Sequence, residues 1–359
     1  MLKDTQPIHI VTMILTAISS LLGLIITGLF VKSFIKPINA TVDIIQSTQN
    51  GDLTLRAPEC EAEELNFLNT SYNNMLDKVN EMIESNNQLT KKMYEENDME
   101  VIPFDVNFGE ENFKDGVNID VAEVYKKVEE YKELPHTAAA SLMEFENAFK
   151  KWVSQGYDVI YVGIGSLLSS AFQNVRIAAG DMLDKNVFLV DSKSLSSGSG
   201  LLALKIAKYI KEGKLSAREI AEKVQTLADK VVAQFTVYTL DYLRKGGRCS
   251  GAAAVVGNLL HIHPYLRVVD GKLIVYKKVR GPMKIALNEQ INDLKSSLPD
   301  VDMDNIMVTH TGMPEGLNDY VISEVEKLVG KGVVKETPAG AVIGSHCGFG
   351  TIGILYIKK

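Results

Sequence analysis

The hydrophobic pattern along the chain has three textures. In the first, residues 10–31 read IVTMILTAISSLLGLIITGLFV, 22 residues without a charge. As a helix this run is about 33 Å long, enough to cross a hydrocarbon core. A cleaved signal peptide carries a shorter apolar stretch and a small-residue cleavage site, so the pattern predicts an uncleaved membrane helix over residues 8–31. Lys32 and Lys36 follow it, whereas only Lys3, offset by Asp4, precedes it. The positive-inside tendency then puts the rest of the chain on the cytoplasmic side of the cell membrane, with a single pass. With about nine residues ahead of the run, no extracytoplasmic sensing domain is expected.

The second texture is amphipathic. Ile38, Val42 and Ile45 form one helical stripe. Leu65, Leu68, Tyr72, Met75, Val79 and Met82 form another, at spacings of three and four. Asn50-Gly51-Asp52 and Pro58 break the chain between them. Each stripe is too narrow to be buried alone and needs a partner chain. The segmentation is 32–83 for this helical linker and 84–98 for a polar helical connector.

From about residue 99 short apolar runs alternate with helical stretches, the α/β signature. Strands are expected at 101–108 (VIPFDVNF), 158–164 and 186–191, with helices at 120–132, 144–155, 169–179 and 197–211. Read as βαβ units, these make a parallel sheet. A helix at 216–233 follows, then a short strand at 235–237 and a hairpin turning at Asp270-Gly271. A strand at 306–310, a helix at 316–331, a strand beginning at Val333-Val334, and a glycine loop with a final strand complete a second α/β domain with largely antiparallel pairing.

Composition narrows the chemistry. The formal net charge is -7 and the pI is near 5.5, which excludes a wholesale nucleic-acid surface. The three cysteines, Cys60, Cys249 and Cys347, form no C-x-x-C pair and no disulfide framework. GSHCGFGTIG (344–353) contains a literal G-x-G-x-x-G, but an apolar, β-prone tail follows it, whereas a dinucleotide fingerprint opens a helix. His346 and Cys347 have no second cluster to complete a metal site, and His261 and His263 fit a structural role beside Pro264. Ser166 with His346 lacks the G-x-S-x-G nucleophile elbow of a hydrolase. Thr137 and Ser166, taken alone, suit turn or cap positions. Arg244, Lys245 and Arg248 suit a helix C-terminus as well as a partner patch.

Two resemblances go further. Pro37, GDLTLR (51–56), Glu64 and LNTSYNNML (68–76) resemble a HAMP linker. That resemblance implies a dimeric parallel bundle passing membrane signals to an output domain. LPHTAAAS (134–141), IGSLLSSAF (164–172), TLDYLRKGGRCSG (239–251), DGKLIVYKKVRG (270–281), THTG (309–312) and GAVIGSHCGFGTIGI (340–354) together resemble the DegV family. Its FakB members present fatty acids to a fatty acid kinase.

The DegV resemblance implies a two-domain α/β fold over residues 99–234 and 235–359, with no cofactor and no catalysis. One long-chain fatty acid would lie between the domains. Thr137 and Ser166 match the family's hydroxyl donors to the carboxylate, and His346 matches its glycine-loop histidine. Arg280 falls near the position where the kinase partner docks. Residues 201–207 (LLALKIA) and 252–260 (AAAVVGNLL) are candidate pocket lining. An acyl chain of about sixteen carbons could gain on the order of ten kcal/mol from burial, before costs. The sequence departs from the family at its start: the first strand and its Asp-Ser loop are missing. The alternative reading is a membrane-linked signalling module whose DegV-like output domain responds to lipid.

Overall fold

The computed structural model describes residues 6–49, 55–60, 62–247, 249–250, 262–314 and 316–359. Most of the break at residues 50–54, the apolar stretch 252–260, Arg248 and His261 lie outside the described residues. The chain divides into two compact units, Met1–Met82 and Ile83–Lys359.

In the first unit, α1 (Gln6–Phe30) runs through a π-helical turn, Val31–Ile35, into α2 (Lys36–Gln49). The helix is long and apolar enough to cross a membrane. Pro37 explains the wide turn: it has no N–H, and its ring clashes with the carbonyl four residues back in a regular helix. Lys36 N–H instead bonds Val31 O.

The next helix, α3 (Glu63–Glu95), runs parallel to α2. Thr41 lies 3.0 Å from Asn69, and further along both helices Tyr72 donates to Thr48 at 2.6 Å. The connector returns along α3 in the opposite direction. Arg56 meets Asp77, Ala57 is bonded at both N–H and C=O by the Asn73 amide, Asn69 donates to the Pro58 carbonyl, and Cys60 N–H reaches Asn66. Asparagines spaced along one face thus satisfy backbone groups of a segment without regular secondary structure. Leu76 is buried at 1 %, while Phe67 is 75 % exposed and Ile38, Val42 and Leu68 remain open.

After the end of α3, the second unit's first sheet is three-stranded and antiparallel, ordered β2-β1-β3, made of β1 (Asp105–Phe108), β2 (Glu111–Lys114) and β3 (His136–Ala138). The expected first parallel strand is therefore corrected. β1 is shorter, and the turn at Gly109 sends the chain straight back as β2, leaving no crossover to make a parallel pair. α4 (Val121–Tyr131) separates β2 from β3 and packs Val124 and Tyr125 on the sheet's Val106 and Phe108.

A small parallel sheet pairs β4 (Val159–Gly163) with β5 (Val187–Asp191), flanked by α5 (Leu142–Val153) and α6 (Ala171–Ala179). Then come α7 (Ser197–Glu212) and α8 (Ala217–Ala228). Capping boxes open α4, α5 and α8, at Asp120/Glu123, Ser141/Glu144 and Ser216/Glu219.

The remaining strands form one seven-stranded sheet, β11-β10-β12-β6-β8-β9-β7. It comprises β6 (Val231–Thr236), β7 (Cys249–Ser250), β8 (Ile262–Val269), β9 (Lys272–Arg280), β10 (Ile306–His310), β11 (Val334–Pro338) and β12 (Ile352–Ile357). All pairs are antiparallel except β10/β11 and β7/β9. The helix expected to reach Ala233 stops at Ala228, so the sheet takes in residues 231–234, which the sequence segmentation assigned to the first domain. The apolar run 231–233 extends a helical pattern as readily as it starts a strand.

Period-two alternation divides β12 between two cores. Ile352, Ile354 and Tyr356 face α10 (Met283–Ser297) and α11 (Leu317–Val329), while Leu355 and Ile357 face α7 and α8. Two short helices, α9 (Asp241–Gly246) and α12 (Ala341–Cys347), complete the unit. At the β8–β9 turn Asp270 and Gly271 both have positive φ, 49° and 73°, as a two-residue hairpin turn requires.

Gly353 sits where β12 presses on β6. A Cβ there would lie 2.7 Å from the Gln234 carbonyl oxygen and 2.9 Å from Phe235 Cβ. Gly353→Ala is expected to cost about 1–3 kcal/mol and lower the thermal midpoint. An unchanged midpoint would show that the sheet yields.

Lys114, foremost, and then the Ser141 amide and hydroxyl hold the Glu144 carboxyl at about 2, against an ordinary 4.5. The unfolded chain titrates near the ordinary value, so this stabilisation is complete above that pH and is lost as pH falls toward 2. Solvent screening keeps it small. Glu144→Gln should lower the urea midpoint more near neutrality than in acid; equal losses would exclude the ionised carboxylate as the cause.

Candidate functional site

Two elements of the second unit converge, the three-stranded sheet and the helix α12. β3 carries Thr137, paired in register with Val106 of β1. The last turn of α12 carries His346. Thr137 Oγ1 and His346 Nε2 are 2.8 Å apart, though the residues are 209 positions apart in sequence. Both are half-buried.

The expected glycine loop is in part a helix: residues 341–347 are helical, and the turn begins only at Gly348. Small residues let α12 settle. Gly344 faces Val121 and Tyr125 of α4, and a Cβ on Gly246 of α9 would lie 2.4 Å from His346 Nδ1. Gly348 and Gly350 take φ of 75° and 80° beside the rings of Tyr242 and Tyr238. The strand β12 follows, so no helix receives a dinucleotide at this G-x-G-x-x-G.

Ser166 lies in the exposed turn after β4, at the carboxyl end of the parallel pair, where such sheets place ligands. Its hydroxyl donates to Asp191 Oδ2 at 2.5 Å and its N–H to Asp191 Oδ1 at 3.0 Å. Asp191 ends β5 and also accepts the Lys193 N–H. The hydroxyl proton of Ser166 is therefore already engaged. No hydrogen bond among the described residues joins Ser166 to His346, and a hydrolase pair is not assembled.

Sequence reasoning passed over Asp191, although it closes the strand NVFLVD, where a parallel strand delivers its last side chain. Arg280, the final residue of β9, is exposed and has no ion pair among the described residues.

An apolar cluster reaches both the turn after β4 and the helix α12. Phe235, Val237, Leu243, Leu266, Leu273 and Cys347 are buried in it. Leu168 and Leu195 pack on it from the Ser166 and Ser194 turns, and Ile343 packs on it from α12. The cluster thus touches the neighbours of both Ser166 and His346. Burial, foremost, pushes the Cys347 thiol up to about 12, which keeps it protonated and disfavours it as a nucleophile. No group of His, Cys, Asp and Glu suited to a metal exists among the described residues.

Of the two lining stretches, 201–207 is ordinary core: Leu201, Leu202 and Ile206 pack against α8 and β5. His263 lies on β8 with its ring 5.6 Å from that of Tyr238.

The model of the DegV family, described as uncharacterised proteins, matches residues 78–359. A DegV domain-containing protein of Caldanaerobacter subterraneus subsp. tengcongensis is 33% identical over 260 residues, covering 72% of this chain and 91% of that protein. One from Clostridium acetobutylicum is 29% identical over 292 residues and is matched over 100% of its length by 79% of this chain.

Among solved structures, a DegV family protein from Thermus thermophilus, described by its fatty acid binding, superposes with a TM-score of 0.69 at 25% identity, covering 77% of this chain and 97% of that one. DegV of Bacillus subtilis, a fatty acid binding protein, gives 0.65 at 28%, covering 75% and 95%. A stearic acid-binding protein from Eubacterium ventriosum gives 0.66 at 25%, covering 75% and 94%. The match begins inside α3, and the parallel sheet has two strands among the described residues. Over residues 78–359 this chain belongs to the DegV family.

Proposed function

We propose that this chain holds one long-chain fatty acid non-covalently, its carboxylate at Thr137 and His346 and its acyl tail along the apolar cluster behind them. The observation that carries the reading is the junction itself: a hydroxyl–imidazole pair at 2.8 Å beside an apolar cluster. Relatives of the same fold from Thermus thermophilus, Bacillus subtilis and Eubacterium ventriosum are described as binding fatty acids.

With the ring proton on Nε2, His346 donates to Thr137 Oγ1 and leaves the threonine proton for a carboxylate oxygen. Ser166 joins when its hydroxyl turns from Asp191 to the ligand. The protein acts by binding, and a fatty acid kinase docking at Arg280 would take the carboxylate. The apolar helix would anchor the chain in the cell membrane with residues 78–359 in the cytoplasm, and the family's first strand is replaced by the end of α3.

Native mass spectrometry of the full chain, released from fatty-acid-free detergent, tests the carrier reading. One fatty acid per chain is expected, with occupancy falling about tenfold in Thr137→Val. A chain that is empty, or a variant loaded like the parent, would overturn it.

A second reading has its own support. The parallel α2–α3 pair, the connector returning along α3 and the open Ile38 and Val42 are what a HAMP-like homodimer needs, and such a bundle would relay lipid occupancy to or from the membrane. In membranes carrying Cys60→Ser, Val42→Cys should crosslink to its counterpart at a rate that changes with added fatty acid. A crosslink indifferent to fatty acid would leave a dimer without signalling, and no crosslink would remove the bundle.

A further inference from the structure

The three-stranded sheet grips α12 at both ends. At the carboxyl end the grip is Thr137 on His346. At the amino end it is Asp115, the residue directly after β2. Asp115 Oδ1 accepts the Ala341 N–H at 2.6 Å, and Oδ2 accepts the Val342 N–H at 3.0 Å. Both amides belong to the first turn of α12, whose N–H groups have no partner within the helix. Gly340 makes the approach possible: a Cβ there would lie 2.7 Å from Oδ2 and 2.9 Å from Oδ1. Gly340, at φ -69°, occupies a backbone region open to any residue, so the space and not the conformation requires glycine. No cation pairs with Asp115 among the described residues.

The two grips are not independent. Asp105 of β1 pairs with Lys114 on one side and with Ala138 on the other. Asp115 and Thr137 are therefore each one residue from positions fixed across a single strand, on opposite sides of it. The sheet's register fixes the distance between carboxylate and hydroxyl. Helix α12, at about 1.5 Å per residue, spans it from Ala341 to His346. A shift of the first turn is transmitted along a two-turn helix to the imidazole, because Val121, Tyr125 and the Gly246 backbone leave α12 no slack.

The geometry points to Asp115 as a positioning residue that holds His346 in reach of Thr137, and so sets affinity for the carboxylate end of a fatty acid but not for its acyl chain. The inference rests on the reading of Thr137 and His346 as the headgroup site.

Its test uses the full chain in nanodiscs, labelled with 15N-histidine, with the His346 ring signal assigned from its loss in His346→Gln. Two variants disturb the amino-end grip differently. Asp115→Asn keeps the shape but turns one acceptor into a donor facing an amide; Gly340→Ala keeps the carboxylate but presses on it. Palmitate and hexadecanol serve as ligands of equal chain length with and without a carboxylate.

Both variants are expected to shift the His346 signal in the ligand-free protein. Both should weaken palmitate about tenfold while leaving hexadecanol within about twofold. Equal weakening of the two ligands, or an unmoved His346 signal in a folded variant, would overturn the assignment. If the parent chain binds neither ligand, the carrier reading falls by itself. The ligand-free His346 signal still decides whether Asp115 positions the ring. Should one variant fail to fold, the other gives the answer.

Discussion

The site depends on where β12 runs. It is the last strand in sequence, yet it lies inside the seven-stranded sheet, antiparallel to β10 on one side and β6 on the other. The contact at Gly353 fixes its depth, and Gln290 of α10 fixes its height. The Gln290 amide donates to Thr236 of β6 and to the Ile352 carbonyl, and its oxygen accepts the Ile354 N–H. A buried amide that satisfies groups on two strands at once allows little sliding. Five residues before β12, α12 must therefore start its exit at one place, and His346 inherits that precision.

The elements that could be read from the sequence are those whose signals are local. The Asp270-Gly271 hairpin and the helices opened by Asp120, Ser141 and Ser216 need only neighbours three residues away. Errors arose where a local signal had two solutions. VNFGEENFK reads as the end of one strand, and Gly109 decides that a second returns beside it. GAVIGSHCG looks like a loop because of its glycines, but Gly344 is a packing glycine within a helix and only Gly348 is a terminator. The helix α10 was missed because its buried stripe includes the polar Gln290, whose partners on β6 and β12 are invisible in one dimension.

The candidate site was legible only through the family resemblance. Nothing in local pattern connects Thr137 with His346, since strand register and helix packing bring them together across most of the domain. Ser166 shows the limit of that route. Its position at the end of a parallel strand was readable, but its state was not, because the partner that holds its proton, Asp191, lies on the neighbouring strand. Asp115 was not legible at all. It resembles any acidic residue before a glycine turn until its carboxylate is seen across the first turn of α12.

If the chain holds a fatty acid as proposed, these placements divide the labour between its two ends. The tail's share scales with methylenes removed from water and is indifferent to small displacements. The headgroup's share is a few hydrogen bonds, each worth about 0.5–1.5 kcal/mol net and all sensitive to angle and distance. A carboxylate brought to Ser166 also approaches the carboxylate of Asp191, and two like charges disfavour each other unless a proton or a donor lies between them. Ser166 can serve only by exchanging one acceptor for another, whereas Thr137 can donate without giving up His346. If the chain holds a fatty acid as proposed, the threonine–histidine pair would orient it, and Ser166 would respond to its arrival.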